Sequence, residues 1–404
     1  MRASQALAAA ILILTAACAP GGGLAPEKAA PPDELLLTPT NFGALGGWAS
    51  SDVRSAFDAF VASCKRIVAR GDTEPFAGAV NYGTVGEWRA PCAAAMQAGP
   101  NPAQTARQFF EAWFVPAQAS NRSEPVGLFT GYYEPELSGS RKPAGRFRTP
   151  LYARPKDLIS VDLGSFRPAL KGERVAGRVD GGKLVPYATR ADIVDKGLTE
   201  QASIIAYVDD AAAAFFLQVQ GSGRVRFKDG TIVRVAYDGQ NGHPYTAIGR
   251  VLADRGEITR EQLSMQSIRA WLAANPAKAH TLMNENASFV FFKEQPIADP
   301  RLGAEGAQGV SLTPEASLAV DLRFHGLGAP MWIDANAPSA DEKAPDAPFQ
   351  RLVIAQDTGG AIRGPVRGDV YWGAGARAES IAGRMAHQGK LYVLLPKSVA
   401  ARLN

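Results

Sequence analysis

The chain is 404 residues long, 46% hydrophobic and 20% charged, with a formal net charge of +4. This ordinary globular usage excludes a disordered chain, a coiled coil and a collagen, and the length suits two or three domains. The mildly basic balance fits an anionic polymer, but no Lys/Arg block is dense enough to indicate nucleic acid, and the four His and three Cys lack the spacing of a zinc site.

Residues 1–17 read as a secretory signal peptide. Arg2 gives a small positive start, and Ala6–Ala17 is an apolar stretch too short to span a bilayer. It ends in Thr15-Ala16-Ala17-Cys18, small residues before a Cys, as a lipoprotein signal peptidase requires. Cys18 would then be the acylated first residue; the alternative is cleavage after Ala17 with Cys18 incidental. Ala19 follows, with no Asp there, so the periplasmic face of the outer membrane is the expected location. Residues 18–38, rich in Gly, Pro and Ala, read as a flexible tether. In an oxidising compartment the remaining Cys64 and Cys92 point to a disulfide, with two buried free thiols as the alternative.

A helix is expected over 51–70, capped by Ser50 or Ser51, with Val53, Phe57, Phe60, Val61, Cys64 and Ile67 on one face. A second helix starts at Asn101 with Pro102 at its first position and carries Phe109, Phe110 and Trp113. From about 126 to 240 the texture is strand-like: Val126–Tyr133, Ser203–Val208 and Phe215–Gln220 are strand candidates. Arg224–Val235 alternates with period two on both sides of Asp229-Gly230, a tight hairpin. Helices return at 259–273, with a Thr259/Gln262 capping box, and at 276–284. The section 287–404 is again β-rich, with strands at Ser288–Lys293, Leu318–Val320, Met331–Ile333, Leu352–Ala355, Asp369–Trp372 and Lys390–Leu395. Short strands between Gly-rich turns suggest a small barrel.

Acidic residues in apolar, Gly-rich surroundings are the chemical candidates. Asp321 follows Ser317–Val320, Asp357 ends Leu352–Gln356 and precedes Thr358-Gly359-Gly360, and Asp369 opens Asp-Val-Tyr-Trp-Gly. A carboxyl at the mouth of a buried strand loses solvation, which suits a general acid. The two glycines after Asp357 permit close approach of a bulky ligand such as a sugar ring. The same aspartates could equally cap turns and pair with arginines. Tyr132 and Tyr133 could stack on sugar faces, and Glu134 offers a second carboxylate.

Several ordered segments together resemble the membrane-bound lytic murein transglycosylase A family: Phe129-Thr-Gly-Tyr-Tyr-Glu-Pro135, Pro186-Tyr187 with Thr189-Arg190, Phe216-Leu-Gln-Val-Gln-Gly-Ser-Gly223, Tyr237-Asp-Gly-Gln-Asn-Gly-His243 and Asn284–Phe292. Gln356-Asp-Thr-Gly-Gly-Ala-Ile-Arg-Gly364 and Asp369-Val-Tyr-Trp-Gly373, with Asp321, resemble its C-terminal three-aspartate domain. The resemblance implies a mainly β protein with α segments, a double-psi β-barrel carrying a smaller inserted β-barrel. It places the N-terminal helical part at 39–136, the insert at 137–240 and the rest of the double-psi barrel at 241–404. Peptidoglycan glycan strands would lie between the barrels.

The implied enzyme is a carbon–oxygen lyase that cleaves the β-1,4 bond between N-acetylmuramic acid and N-acetylglucosamine and leaves 1,6-anhydromuramyl ends. Asp357 would be the single general acid and base, with Asp321 and Asp369 supporting it. Thr130, Tyr132, Tyr133, Gln218, Gln220, Ser222, Asn241, Gly359 and Gly360 are the expected substrate-binding residues. No metal or organic cofactor is expected. Cell-wall synthesis or division proteins are conceivable partners, besides the membrane through the lipid on Cys18. A hydrolase pairing Asp357 with Glu134 or Glu136, and a non-catalytic wall-binding lipoprotein, are the alternatives.

Overall fold

The computed structural model describes residues 32–77, 82–98, 103–170, 173–198 and 200–403. The signal peptide, Cys18, most of the tether, and Asn101 and Pro102 lie outside them.

The first strand, β1 (Leu35–Pro39), pairs antiparallel with β2 (Phe114–Asn121). The end of the segment expected to be tether is therefore part of a sheet, because Leu35 is buried against the core. Three helices lie between these strands: α1 (Arg54–Ile67), α2 (Val85–Gln97) and α3 (Ala103–Trp113). The apolar stripe of α1 buries Phe57, Phe60, Cys64 and Ile67, as its spacing predicts. Its start is later than expected. Asp52 rather than a serine accepts the Arg54 N–H at 3.0 Å, and the Ser51 hydroxyl is left without a partner. Cys64 and Cys92 are disulfide-bonded and tie α1 to α2.

After β3 (Val126–Glu134) the chain leaves for a second sheet. It contributes β4 (Glu136–Ser140) and β5 (Thr149–Tyr152) there, and then β6 (Ile159–Asp162), β7 (Arg174–Asp180) and β8 (Lys183–Pro186) form a separate three-stranded meander. Helix α4 (Arg190–Lys196), β9 (Ile204–Val208), α5 (Ala211–Gln220), β10 (Ser222–Phe227) and β11 (Ile232–Gln240) follow. The β10–β11 hairpin has the expected register, with Arg226 opposite Ile232.

Phe215–Gln220, read as a strand, is the second half of α5. Asp210 accepts the Ala212 N–H at 2.8 Å, four alanines favour the helix, and Gly221 at φ +80° closes it. Its apolar character reflects burial on most sides. Phe215 and Phe216 pack against α6 (Ile248–Asp254), α7 (Met265–Ala274) and α8 (Pro276–Asn284). The expected Thr259/Gln262 box is only a turn; Ser264 caps α7 together with Ser267. The second sheet takes one more strand, β12 (Val290–Gln295), giving the order β12-β11-β10-β4-β9-β5. A bridge from Ala153 to Phe292 joins its two edges. The inserted barrel thus runs to about residue 295, not 240, because β12 pairs with β11.

The remaining elements are β13 (Ser317–Ala319), β14 (Pro330–Ala337), β15 (Ala347–Asp357), β16 (Arg367–Ala374), α9 (Ala376–Ala382), β17 (Ala386–Pro396) and α10 (Lys397–Ala400). The strands form a closed ring, β3-β17-β14-β15-β13-β16 and back to β3, since β17 pairs with both β14 and β3. This is the double-psi β-barrel. Closure leaves no free edge in the ring. Residues 114–134 and the last hundred residues build it together, around Phe129, Val353, Ile354, Val370 and Leu394.

Candidate active site

Register brings the aspartates together. Ala319 at the end of β13 is opposite Asp357 of β15 on one side and Asp369 of β16 on the other. Asp321 follows two residues later. Three strand ends thus deliver three carboxylates to one rim of the barrel.

Asp357 is half-buried and held at both oxygens. The Tyr132 hydroxyl donates to Oδ2 at 2.8 Å, and the backbone N–H of Ala307 donates to Oδ1 at 3.0 Å. Burial and the nearby Asp357 charge push the Tyr132 phenol well above its usual range, so it stays a donor. The ring of Tyr132 packs 5.3 Å from that of Tyr371. Beyond Asp357 the chain turns away through Gly359 and Gly360. A methyl group added at Gly360 would touch nothing within 4 Å, so the backbone three residues beyond Asp357 borders open space, while one at Gly359 would meet the Ile362 side chain at 3.2 Å.

Asp369 faces the same rim but is engaged differently. Thr130 donates to its Oδ1 at 2.6 Å, and Arg367 donates to the Thr130 hydroxyl at 2.8 Å. Burial pushes the Asp369 carboxyl up and the Asp357 charge adds to this, while Thr130 and Arg367 act in the opposite direction. Asp321 is a brace. It accepts from the Arg323 guanidinium and from the backbone N–H groups of Arg323 and Gly364. Burial alone would raise its carboxyl, but these donors outweigh burial and hold it at about 2.

A buried polar network underlies Asp357. Ser317 donates to the Gln356 side chain, whose amide donates to the Ala59 carbonyl and the Ser63 hydroxyl at 2.9 Å each. Ser63 donates onward to Gln308, and the Gln308 N–H bonds the Gln356 carbonyl at 3.0 Å. Helix α1, the loop bearing Ala307 and the end of β15 are fastened together at this point. Neither this network nor the Ala307 donor was named from sequence; Gln356 beside Asp357 was the only available hint, since a backbone donor leaves no residue signature.

Other expected site residues separate into two groups. Gln218, Gln220 and Ser222 sit where α5 turns into β10, with Gln218 buried and its Oε1 unpartnered. Tyr133 and Asn241 do not line an open site. Tyr133 points to the opposite face of β3 from Tyr132, into the core, with its hydroxyl on the Met265 sulfur. Asn241 is fully buried and spends its amide on the Ala188 and Ala287 carbonyls and the Phe289 N–H.

Glu134 is likewise committed: its two oxygens accept from Arg224 and Arg234, and all three side chains are buried. The same arginines donate to the Leu302 carbonyl, so this cluster clamps β3 to the second barrel and pins the loop that leads to Ala307. Glu136 on β4 pairs with Arg226 on β10. Neither glutamate is available as a second carboxylate facing Asp357.

Two barrels, with three aspartates brought to one rim of the double-psi ring, define a class of carboxylate-bearing, two-barrel proteins. Residues 128–293 match the MltA specific insert domain, and residues 316–395 match the 3D domain. Membrane-bound lytic murein transglycosylase A of Vibrio cholerae is 34% identical over 269 residues, 66% of this chain and 65% of that relative. The MltA crystal structure from Neisseria gonorrhoeae superposes with a TM-score of 0.77 at 32% identity, covering 90% of this chain and 93% of that one. The Escherichia coli MltA structure with bound chitohexaose gives a TM-score of 0.65 at 27% identity over 89% and 94%. The chain belongs to the membrane-bound lytic murein transglycosylase A family.

Proposed function

We propose that this protein is a peptidoglycan lytic transglycosylase with Asp357 as its single general acid and base. The carrying observation is a carboxylate held by one hydroxyl and one backbone N–H, with open space at Gly360 three residues on, while Asp321 and Glu134 are tied to arginines. Asp357 in its acid form protonates the glycosidic oxygen as the bond from muramyl C1 breaks. The resulting carboxylate takes the proton from the muramyl C6 hydroxyl as that oxygen closes on C1. The proton is returned, no water is added, and one carboxyl serves where hydrolases use two. Tyr132 and the Ala307 N–H orient the carboxyl throughout. Asp369 supplies negative charge at the rim, where an oxocarbenium-like transition state develops positive charge.

A glycan substrate fits the relative solved with chitohexaose bound. Gln218, Gln220 and Ser222 are proposed contacts from the second barrel, and Thr130, Tyr132, Gly359 and Gly360 from the first. Among the described residues no helix is long and apolar enough to cross a membrane. Acylation of Cys18 is proposed to hold the enzyme at the outer membrane, on the periplasmic side. Digestion in heavy-oxygen water tests the reaction: a transglycosylase leaves no label at the new muramyl ends, whereas labelled ends would mean hydrolysis.

A further inference from the structure

Arg190, at the start of α4, is buried and lacks a carboxylate partner among the described residues. Its Nε donates to the Asn286 carbonyl at 3.0 Å, and one terminal nitrogen donates to the Ser288 carbonyl at 2.6 Å. Phe215 and Phe289 lie 4.7 and 5.1 Å from the guanidinium carbon and cover the group. Burial lowers its pKa to about 10, so it is still charged at neutral pH. A buried cation without a counter-ion is costly unless a ligand supplies one.

Arg190 lines an open pocket of about 330 Å³ on the second barrel, and with Gln218 it also lines another of about 200 Å³ that carries Arg148 and His280. Among the described residues lining the first, Arg190 is the only charged one. Gln218 lines the same pocket and is 7% exposed, yet its Oε1 has no partner. Tyr237 and Tyr245, both about half-exposed, add aromatic faces at the rim. The pocket therefore offers a positive donor, a neutral acceptor that needs an N–H or O–H, and apolar surface. That combination matches an acylated amino acid with a free carboxylate: carboxylate to Arg190, amide N–H to Gln218 Oε1.

We infer that Arg190 and Gln218 form a subsite for the carboxylate-bearing peptide stem of peptidoglycan, so that the second barrel recognises peptide as well as glycan. This rests on the proposed activity for its choice of ligand, not for its chemistry. The test is calorimetric binding to the full chain. The probes are N-acetylmuramoyl-L-alanyl-D-glutamate, the same compound with its carboxylates amidated, and N-acetylmuramic acid. The stem probe should bind at least tenfold tighter than the other two. Arg190→Ala removes two backbone hydrogen bonds and can fail to fold, so Gln218→Glu is the informative variant. It puts a carboxylate in the pocket, where it should occupy Arg190 and abolish the preference, with thermal melting checking the fold. Equal affinity for stem and amidated probes, or a preference that survives Gln218→Glu in a folded protein, would overturn the subsite. Binding of N-acetylmuramic acid as tight as that of the stem probe would overturn the assignment to peptide. Cleavage of sacculi is scored separately: stem binding without anhydro products would refute the enzymatic reading and leave the subsite standing.

Discussion

The hydroxyl of Tyr132 donates to Asp357 Oδ2 at 2.8 Å across two strands of the double-psi barrel that are 225 residues apart in sequence. That bond and the Ala307 N–H fix the plane in which the carboxyl presents its proton. Tyr132→Phe removes one of the two restraints and keeps the ring against Tyr371. A hydrogen bond to a charged group is worth about 1.5–3 kcal/mol, so turnover on sacculi should fall roughly ten- to a hundredfold with little change in KM. An unchanged rate would mean that Ala307 alone suffices.

The Glu134 clamp gives a second expectation. Glu134→Gln leaves Arg224 and Arg234 buried without a full counter-charge, which costs about 3–5 kcal/mol when one partner of a buried pair is lost. Denaturant unfolding should register that loss. The same change loosens the Leu302 anchor of the loop leading to Ala307, so turnover should drop while the products keep anhydro ends. A switch to reducing ends would return Glu134 to the chemistry.

Thr130 tests the state of Asp369. Its hydrogen bond lowers the Asp369 carboxyl against burial. Thr130→Val should therefore move the Asp369 titration upward, read by carbon NMR of the labelled side chain. A downward movement would contradict the lowering effect assigned to the Thr130 hydrogen bond.

His325 makes stability depend on pH. It is buried, accepts from the Tyr82 hydroxyl at 2.6 Å and donates to the Pro365 carbonyl at 2.7 Å. Burial lowers its pKa to about 4 from 6.5. The unfolded chain takes up the proton first, so stability is full above about 6.5 and is lost as pH falls towards 4, by on the order of 3 kcal/mol. Melting temperature should decline over that window, and His325→Gln should flatten the decline.

Much of this was legible in the residues. The stripe of α1, the Asp229-Gly230 hairpin and the C-terminal strands follow from periodicity, which survives because each buries one definite face. The disulfide followed from the compartment and the cysteine count. What failed was an element without a polar face: α5 is apolar nearly all round, so its period could not separate helix from strand, and only the Asp210 cap and the alanine run distinguish them. The boundary at 240 failed because β12 returns to β11 after three helices, a pairing with no local signature. In the site, the ordered Asp motifs pick out Asp321, Asp357 and Asp369, whose strand ends the register brings to one rim. Asn241 and Tyr133 were misplaced because a motif marks a position but not the direction of a side chain. Asn241 is spent on backbone groups, and Tyr133 faces the core beside Tyr132, which faces Asp357.

Removing the disulfide should cost about 2–5 kcal/mol. The Cys64→Ala, Cys92→Ala double variant should melt at a lower temperature yet keep its product chemistry, because the donors to Asp357 are Tyr132 and Ala307 and neither cysteine is among them, although Cys64 adjoins Ser63 of the network beneath it.

The central claim is that one carboxyl performs both proton transfers. Its most direct test is mass spectrometry of muropeptides released from purified sacculi by the chain from residue 19, beside Asp357→Ala. Anhydromuramyl products from the first and none from the second are predicted. Reducible muramyl ends from the first, or anhydro products that persist in Asp357→Ala, would contradict the account.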